Sequence, residues 1–423
     1  MKHGPDSAAV LAIGDELLAG AHADLNSPYI AHRLTEVGRH VAQCGIVGDY
    51  EEDIAEQLAT FCSRHPLVFA TGGLGPTLDD VTRHAAARAG GVELMHSAEA
   101  WEQVKQWYAR STRPMPASNE RQALIPAGAT VLFNRLGTAP GFRMQIGAST
   151  LIVLPGPPRE MQSMFTEVAL PWLADHPALE QVVDTHRFHL FGLSESVFAD
   201  AAGAWMDREA NPQMGVTVKG GVMAVRILAR GLEADAVRAL LLERAQAFRE
   251  RFGEHVFSEE QPDLAVALGQ ELLAQGITIA FAESCTGGLA AAQLTRMAGI
   301  SAVFREGFVT YSNEAKEARL GVPLELLDSF GAVSEPVAGA MAAGAARQAG
   351  ARLAVSVTGI AGPGGAVPGK PVGTVCFGTS MDGEVCTYER RYPDLGRDWI
   401  RERAAGEALD LGLRAARGAA GTP

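Results

Sequence analysis

The sequence of 423 residues lacks any apolar run close to the ~18 residues that a membrane-spanning helix needs. Its first apolar segment, 8–13, is too short for the hydrophobic region of a signal peptide. The five cysteines are an odd number without paired spacing, which argues against a disulfide framework. CxxC and HxxxH spacings are also missing, so no zinc site is expected. Together these absences predict a cytoplasmic protein that does not associate with a membrane.

Basic residues are too few to form a nucleic-acid-binding stripe over the whole chain. The formal net charge is −13, with 36 lysines and arginines against 49 acidic residues. Because nucleic acids are polyanions, we expect no direct binding of DNA or RNA. Apolar residues make up 47% and charged residues 20%, which is typical of folded domains. The length predicts two or three such domains.

Histidine and lysine are scarce where a catalytic base would be needed. All 11 histidines lie at or before His255. Only two of the five lysines, Lys316 and Lys370, lie beyond that residue. A serine nucleophile in the C-terminal part therefore could not use a Ser-His-Asp triad formed within that part. Its base would have to be lysine, tyrosine, aspartate or glutamate.

One serine that would need such a base lies in a loop at residues 281–288. An apolar run, 277–281, leads into the loop, and an alanine-rich helical pattern, 289–297, follows it. This order of strand, loop and helix directs backbone N–H groups and the positive end of a helix dipole toward one place. Ser284 is therefore either a nucleophile or part of a phosphate-binding loop.

Lys316 is the candidate base for Ser284. It follows Tyr311 by five residues, just past a predicted strand, at the edge where a parallel sheet forms its active site. Burial can lower the pKa of a lysine toward neutrality, which would allow a Ser284–Lys316 pair assisted by Tyr311. The alternative places Lys316 on a solvated helical turn, paired with Glu314 or Glu317.

Two neighbours of Ser284 offer further alternatives. Cys285 could be a nucleophile whose pKa the helix N-terminus lowers, or a small buried apolar residue. Glu283 could be a base, or it could cap and position the loop. A glycine-rich stretch, 358–365, is expected to be neither strand nor helix interior. We predict a loop there whose amides face a phosphate or an oxyanion.

The first 170 residues alternate between strand and helix patterns, which predicts a mainly parallel sheet covered on both faces. Two segments, 14–16 and 71–80, follow predicted strands and so lie at the carboxyl edge, where ligands bind. Glycines in the second segment allow backbone amides to approach an anion, and Asp79 and Asp80 could hold a hard cation. The alternative is a turn followed by an acidic helix N-terminus.

Four segments of this part resemble those of one protein family. They are GDELLAG (14–20), TGGLGPTLDDVT (71–82), NRLGTAPGF (134–142) and LPGPPREM (154–161). These segments are similar to the molybdopterin-binding-like domain of the competence/damage-inducible CinA family. The resemblance implies an ADP-ribose pyrophosphatase that forms AMP and ribose 5-phosphate with a divalent metal (Mg, Mn or Co) and potassium. It implies Asp79 and Asp80 as metal ligands and the following substrate-binding residues: Asp15, Glu16, Asn26, Gly72, Gly73, Gly75 and Thr77.

Five C-terminal segments resemble the same family more strongly. They are AESCTGGLAA (282–291), FVTYSNEAKEARLGV (308–322), GAVSEPVA (331–338), VTGIAGPGG (357–365) and KPVGTV (370–375). They are similar to the family's nicotinamide mononucleotide (NMN) amidohydrolase domain, or NMN deamidase, which forms nicotinic acid mononucleotide and ammonia without a cofactor. The resemblance implies Ser284 as nucleophile, Lys316 as base and Tyr311 as a supporting group. It also implies these substrate-binding residues: Glu283, Cys285, Thr286, Gly287, Gly288, Thr358, Gly359, Gly362 and Arg397.

Residues 171–257 differ in character and predict a small α+β module. Two strand patterns flank Gly220-Gly221, which indicates a hairpin because glycine readily adopts positive φ, and an amphipathic helix pattern covers 234–252. The module resembles the KH-like connector of the CinA family. It lacks a clear GxxG clamp with basic flanks, so RNA binding is not expected. The predicted fold is two mainly parallel-sheet α/β domains, 1–170 and 258–423, joined by this connector.

The resemblance of the two larger domains implies a hydrolase that recycles pyridine nucleotides and acts on NMN and ADP-ribose. The resemblance implies a homodimer. One alternative is a non-catalytic nucleotide-binding accessory protein in competence or the DNA-damage response. Another is a protein in which one of the two domains alone is active.

Overall fold

The computed structural model describes residues 7–37, 39–110, 114–176, 182–207 and 209–418. The chain divides into two compact units, Met1–Asp184 with Arg230–Arg238 and Thr185–Ala229 with Ala239–Pro423. Within the described ranges, no helix is both long enough and apolar enough to cross a membrane.

The first unit is built around a six-stranded sheet in which β2, β1, β3 and β8 are parallel neighbours. Its described strands are β1 (Ser7–Ile13), β2 (His40–Val47), β3 (Leu67–Thr71), β4 (Leu94–His96), β5 (Leu124–Pro126), β6 (Thr130–Leu132), β7 (Gly141–Ile146) and β8 (Ser149–Leu154). One sheet has the order β2-β1-β3-β8-β7-β6, and β4 pairs separately with β5. β6, β7 and β8 pair antiparallel, so one edge of the sheet departs from the parallel arrangement.

Helices cover both faces of this sheet. They are α1 (Asp15–Leu18), α2 (Asn26–Glu36), α3 (Glu51–Arg64), α4 (Thr82–Gly90), α5 (Ala98–Ala109), α6 (Pro158–Met164) and α7 (Leu170–Asp175). Leu11 of β1 packs in the core that contains α3 and α4, whereas Val10 packs in the core that contains α2 and α6. Successive side chains of a strand point to opposite faces, so a strand buried on both faces is expected to be apolar, as β1 is after its first residue, Ser7.

The predicted α+β module is present around a second sheet. Its elements are β9 (Val182–Leu190), α8 (Glu195–Ala202), β10 (Gln213–Lys219), β11 (Val222–Gly231), α9 (Ala234–Phe252) and β12 (Val256–Ser258). The strand order is β10-β11-β9-β12. Lys219 pairs with Val222, and the two residues between them, Gly220 and Gly221, have φ of 58° and 84°. The predicted glycine hairpin is therefore confirmed.

The third sheet carries the serine loop. Its strands are β13 (Ile279–Glu283), β14 (Phe304–Val309), β15 (Leu353–Gly359), β16 (Thr374–Met381) and β17 (Glu384–Arg391), in the order β14-β13-β15-β16-β17. β14, β13 and β15 are parallel, and β16 and β17 add on antiparallel. The helices are α10 (Leu264–Gln275), α11 (Leu289–Leu294), α12 (Asn313–Leu320), α13 (Leu324–Phe330), α14 (Glu335–Ala349) and α15 (Arg397–Ala416).

The predicted α/β class with a small α+β module is confirmed. Each of the two larger sheets is parallel over part of its width and has antiparallel strands at one edge. One local prediction is wrong. Thr358 and Gly359 belong to β15 rather than to a loop, because they pair across to Cys376 and Val375 of β16. The glycine-rich loop therefore begins only after Gly359. The predicted division into domains 1–170, 171–257 and 258–423 remains a prediction.

A close contact between α12 and α14 sets the position of α12, which carries Lys316. A Cβ atom at Gly344 would overlap the backbone carbonyl oxygen of Leu320. The same oxygen accepts a hydrogen bond of 3.0 Å from Arg347 on α14. Glycine at position 344 thus lets the end of α12 approach the backbone of α14, and Arg347 satisfies a carbonyl that the helix end would leave unpaired.

Substitution of two glycines in helix interiors is expected to change stability in opposite directions. Gly344→Ala should destabilise by about 1–3 kcal/mol, since overpacking against a backbone atom outweighs the higher helix propensity of alanine. A Cβ atom at Gly412 in α15 would lie 3.4 Å from its nearest neighbours, which is an ordinary contact. Gly412→Ala should therefore stabilise the protein by about 0.5–1 kcal/mol. Urea unfolding followed by circular dichroism measures both changes. Stabilisation by both substitutions would contradict the contact described for Gly344.

Candidate active sites

Ser284 lies at the carboxyl edge of the three parallel strands. It directly follows β13, and its N–H donates to Val357 O of β15 at 2.9 Å. On the other side of β13, the N–H of Thr310 donates to Glu283 O at 2.9 Å. The two strand ends therefore bring the residues that follow β13 and β14 next to each other.

Lys316 reaches this edge from the first turns of α12. Ser312 caps the helix by accepting a hydrogen bond from the Ala315 N–H. The Lys316 Nζ donates to Ser284 Oγ at 3.1 Å and to Thr310 O at 2.9 Å. The Lys316 residue is only 1% exposed. The alternative of a solvated lysine on a helical turn is therefore wrong.

Burial changes the acid–base behaviour of Lys316. Removal from water disfavours the charged ammonium, so burial lowers the pKa of Lys316, with a smaller opposing effect from Cys285. A lysine with a lowered pKa is neutral more often at a given pH, and only the neutral amine can accept a proton. The other lysine of this region, Lys370, instead donates to the carbonyls of Phe330 and Val333 at 2.6 and 2.7 Å.

Glu283 caps the helix that follows the serine loop. Its buried carboxylate accepts hydrogen bonds from the N–H groups of Gly288, Ala290 and Ala291 at 2.9–3.1 Å. Of the two alternatives for Glu283, the structure places it in the capping geometry. The N-terminus of α11 is thus occupied by a carboxylate of the chain itself, so these amides are not available to a phosphate.

Cys285 is a buried member of the core rather than an exposed thiol. It is 5% exposed and packs within the apolar cluster that lies on one face of the sheet. Burial raises the pKa of the Cys285 thiol to about 12. Since the thiolate is the reactive form of cysteine, this environment disfavours Cys285 as the nucleophile.

Arg401 of α15 holds the turn after Ser284, and the sequence analysis missed it. Its Nε donates to Cys285 O at 3.2 Å, and a terminal nitrogen donates to Thr286 O at 3.1 Å. Gly287 and Gly288 continue the turn with φ of 64° and 95°, a region that favours glycine. The one available signal was spacing, because Arg401 follows Arg397 by one helical turn.

Arg397 and Tyr311 form a hydrogen bond that joins the start of α15 to the residues after β14. One terminal nitrogen of Arg397 donates to Tyr311 Oη at 2.7 Å, and the other donates to Gly362 O at 2.7 Å. Tyr311 is 60% exposed, and its hydroxyl bonds Arg397 rather than the Ser284–Lys316 pair. A supporting role for Tyr311 therefore remains a prediction, and in this geometry Tyr311 would act through Arg397.

The remaining predicted contacts of this site shape the backbone. The buried Thr358 donates its hydroxyl to Ala332 O at 2.8 Å. A Cβ atom at Gly359 would lie 2.7 Å from Val375 and 3.1 Å from the Cys285 sulfur, so this position leaves no room for a side chain. Contact of these residues with a substrate remains a prediction.

The N-terminal unit contains a cleft of about 740 Å³ at the carboxyl ends of its parallel strands. Most of the predicted residues line it: Glu16, Asn26, Gly72, Gly73, Gly75, Asp79 and Asp80. Asp15 and Thr77 do not belong to the lining. The lining also includes Gln122, Thr138 and Glu160, which the sequence analysis did not single out.

Asp80 and Arg83 fix the glycine loop of this cleft. The Asp80 carboxylate accepts hydrogen bonds from the N–H groups of Gly75 and Thr77 at 2.7 and 2.8 Å, and also from the Thr77 hydroxyl. The buried Arg83 donates to Leu74 O and Gly75 O at 2.7 and 2.8 Å, and burial lowers its pKa to about 10. Asp80 is thus already bonded to the loop, whereas Asp79 is exposed at the cleft.

Negative charge is concentrated in this cleft. Burial raises the pKa of Asp49, and the nearby charges of Asp15, Glu16 and Asp79 raise it further, although a hydrogen bond from the Asp15 N–H opposes them. Six carboxylates line the cleft, and the lining that the structure describes contains no lysine or arginine. The six are Glu16, Asp24, Asp49, Asp79, Asp80 and Glu160.

A metal ion would need ligands beyond those that the described residues supply. Among the described residues, no group of three or more histidines, cysteines or carboxylates is arranged to hold one. Magnesium is commonly bound by one or two carboxylates together with substrate phosphates and water. The exposed carboxylate of Asp79 in an acidic cleft fits a magnesium site of this kind, to which the substrate supplies the other ligands.

Family models match three successive ranges of the chain. They are the probable molybdopterin binding domain over 9–175, the damage-inducible protein CinA KH domain over 185–258 and the CinA C-terminal domain over 261–415. The resemblance found in the sequence, including the KH-like connector, is therefore confirmed.

Curated relatives match over nearly their whole length. A putative competence-damage inducible protein of Symbiobacterium thermophilum is 40% identical over 416 residues, covering 96% of this chain and 97% of its own. A CinA-like protein of Citrifermentans bemidjiense is 42% identical over 402 residues, covering 95% of each chain. Among solved structures, the competence/damage inducible protein CihA from Agrobacterium tumefaciens is 48% identical over 36% of this chain and 93% of its own, with a TM-score of 0.35.

Proposed function

Because the chain belongs to the CinA family, we propose that its C-terminal part hydrolyses the amide of NMN to nicotinic acid mononucleotide and ammonia. One observation carries the proposal: the Nζ of the buried Lys316 lies 3.1 Å from Ser284 Oγ. This distance is within the range that proton transfer between a base and a nucleophile requires.

The proposed reaction uses Ser284 as nucleophile and Lys316 as base. As Ser284 Oγ attacks the carboxamide carbon, neutral Lys316 takes the hydroxyl proton. The C–N bond then breaks, and Lys316 returns the proton to the leaving ammonia. Water, deprotonated in turn by Lys316, hydrolyses the ester on Ser284 to release the acid and restore the serine.

The oxyanion formed by this attack needs donors from the serine loop. Glu283 binds the amides of Gly288, Ala290 and Ala291, and the Gly287 N–H donates to Ser284 O. This leaves the N–H groups of Cys285 and Thr286 as the donors that we propose for the oxyanion. Each such donor typically contributes about 2.7–4 kcal/mol.

The substrate phosphate is assigned to Arg397 in this proposal. Arg397 is exposed, and its guanidinium has five N–H donors, of which Tyr311 and Gly362 occupy two. Arginine binds phosphate well because its planar fork can donate two parallel hydrogen bonds. Tyr311 would then support catalysis by orienting Arg397.

We further propose that the N-terminal cleft hydrolyses ADP-ribose with a divalent metal. The supporting observation is the lining of six carboxylates without a lysine or arginine among its described residues. A diphosphate would be repelled from such a lining unless a cation accompanied it. The residues therefore fit a metal that enters with the substrate, with Asp79 as its ligand from the chain.

Replacement of either member of the pair should abolish NMN deamidation. Ser284→Ala should lower kcat by at least ~10³-fold, and Lys316→Met by about 10²–10⁴-fold, because nucleophile and base are lost. Lys370→Met removes the other lysine of this region and should keep most of the rate. Ammonia release measures all three, with circular dichroism to verify folding.

In the wild type, kcat should fall as the pH drops through the lowered pKa of Lys316, since the base must be neutral.

Near-full turnover of Ser284→Ala would show that another residue is the nucleophile. Equal losses for Lys316→Met and Lys370→Met would assign Lys316 a structural role. Wild-type protein that binds NMN without releasing ammonia would favour the non-catalytic accessory protein.

Metal removal should separate the two proposed activities. EDTA should abolish hydrolysis of ADP-ribose, since the acidic cleft needs a cation to admit a diphosphate, and should leave NMN deamidation unchanged. Asp79→Asn should raise the magnesium concentration that half-maximal ADP-ribose hydrolysis requires. AMP formation and ammonia release, measured on one preparation, test both. Hydrolysis of ADP-ribose that persists in EDTA would contradict the role of the metal.

A further inference from the structure

Two residues that line the N-terminal cleft each have a buried amide oxygen without a protein partner. Asn26 and Gln122 both line the cleft and are 8% and 1% exposed. No protein group donates a hydrogen bond to Asn26 Oδ1 or Gln122 Oε1. Buried polar atoms are nearly always paired because leaving one unpaired costs stability. Such an atom beside a cleft is suited to bind a group that arrives with a ligand.

The orientation of both amides follows from their neighbours. The Asn26 Nδ2 donates to Gly156 O at 2.7 Å and to Thr71 Oγ1 at 2.9 Å. The Gln122 Nε2 donates to Thr138 Oγ1 at 3.1 Å and to Leu74 O at 3.4 Å. A backbone carbonyl can only accept, so in each amide the nitrogen must face it and the oxygen must be the free atom.

The two amides hold opposite ends of one loop. Asn26 bonds Thr71 at the start of the glycine loop, and Gln122 bonds Leu74 three residues later. Three residues of chain span at most about 10 Å, so the two points of the loop that the amides bond lie within the length of a single nucleotide. The same lining also contains the carboxylate of Glu160, another acceptor. This wall therefore favours hydrogen-bond donors and disfavours phosphate.

We propose that Gln122 is a specificity-determining residue of the N-terminal cleft, whose Oε1 accepts a hydrogen bond from a donor group of a nucleotide. The donor is a ribose hydroxyl or the exocyclic amino group of adenine, both of which can donate to an amide oxygen. The inference rests on the proposed function, because it assumes that the cleft takes a nucleotide. It does not require that the nucleotide be hydrolysed.

A binding experiment with matched glutamine variants tests this role. Gln122→Met removes the free oxygen while keeping a side chain of similar length. Gln103→Met is the control, because Gln103 is also buried and also bonds Thr138, but its oxygen accepts the Asn134 N–H. Calorimetric titration with AMP, inosine monophosphate and 2′,3′-dideoxyadenosine monophosphate, with magnesium present, gives the dissociation constants for the full-length proteins.

Gln122→Met should weaken AMP binding about five- to tenfold, whereas Gln103→Met should change it less than twofold. One of the two analogues should bind the wild type more weakly than AMP does, and that difference should disappear in Gln122→Met. Loss of the difference for inosine monophosphate assigns the amino group, and loss for the dideoxy analogue assigns a hydroxyl.

Three results would overturn the proposal: no AMP binding by the wild type, equal losses in the two glutamine variants, or analogue differences that persist in Gln122→Met. Failure of the protein to hydrolyse ADP-ribose, with nucleotide binding as expected, would reject the proposed N-terminal activity and leave this assignment intact.

Discussion

The contact between a buried lysine and a serine hydroxyl is the constraint on which the C-terminal site depends. Lys316 is almost fully buried, and its Nζ bonds Ser284 Oγ and Thr310 O. Burial of the Lys316 ammonium opposes stability, because removal from water disfavours the charge. The same effect lowers the pKa of Lys316, which favours the neutral amine that a base must be. The surrounding elements hold the two groups together against this cost. Gly344 allows α12 to approach α14, Arg401 holds the carbonyls after Ser284, and Glu283 caps α11.

The two proposed sites solve the same problem, the binding of a phosphorylated nucleotide, with opposite charge. The C-terminal site offers Arg397 near the serine loop, so it needs no metal for the phosphate. The N-terminal cleft has six carboxylates and no lysine or arginine in its described lining, so a diphosphate would require a cation. Acceptors such as Gln122 Oε1 then select the parts of the ligand that can donate hydrogen bonds. The division of charge accounts for a metal dependence expected in one activity and not in the other.

Local patterns predicted the contact between Ser284 and Lys316, whereas the contacts that support this pair depend on tertiary packing. Absence of histidine after His255 and the scarcity of lysine pointed to Lys316 before any family was considered. The glycine hairpin of the α+β module and α9 lie where their patterns predicted, because both depend on residues that are close in sequence. The bonds of Arg401 to the serine loop join residues more than one hundred positions apart, which no local pattern encodes. The free oxygen of Gln122 could not be predicted either, since it results from what the neighbouring groups of the cleft already bond.

The central claim, that Ser284 attacks the amide with Lys316 as its base, is tested most directly by trapping the covalent intermediate. Rapid acid quench of the protein during turnover of NMN, followed by peptide mass spectrometry, should find a transient adduct on Ser284 with the mass of NMN minus ammonia. The adduct should not form in Lys316→Met, because the serine would keep its proton. Turnover without an adduct on Ser284, or an adduct on Cys285 instead, would contradict the account.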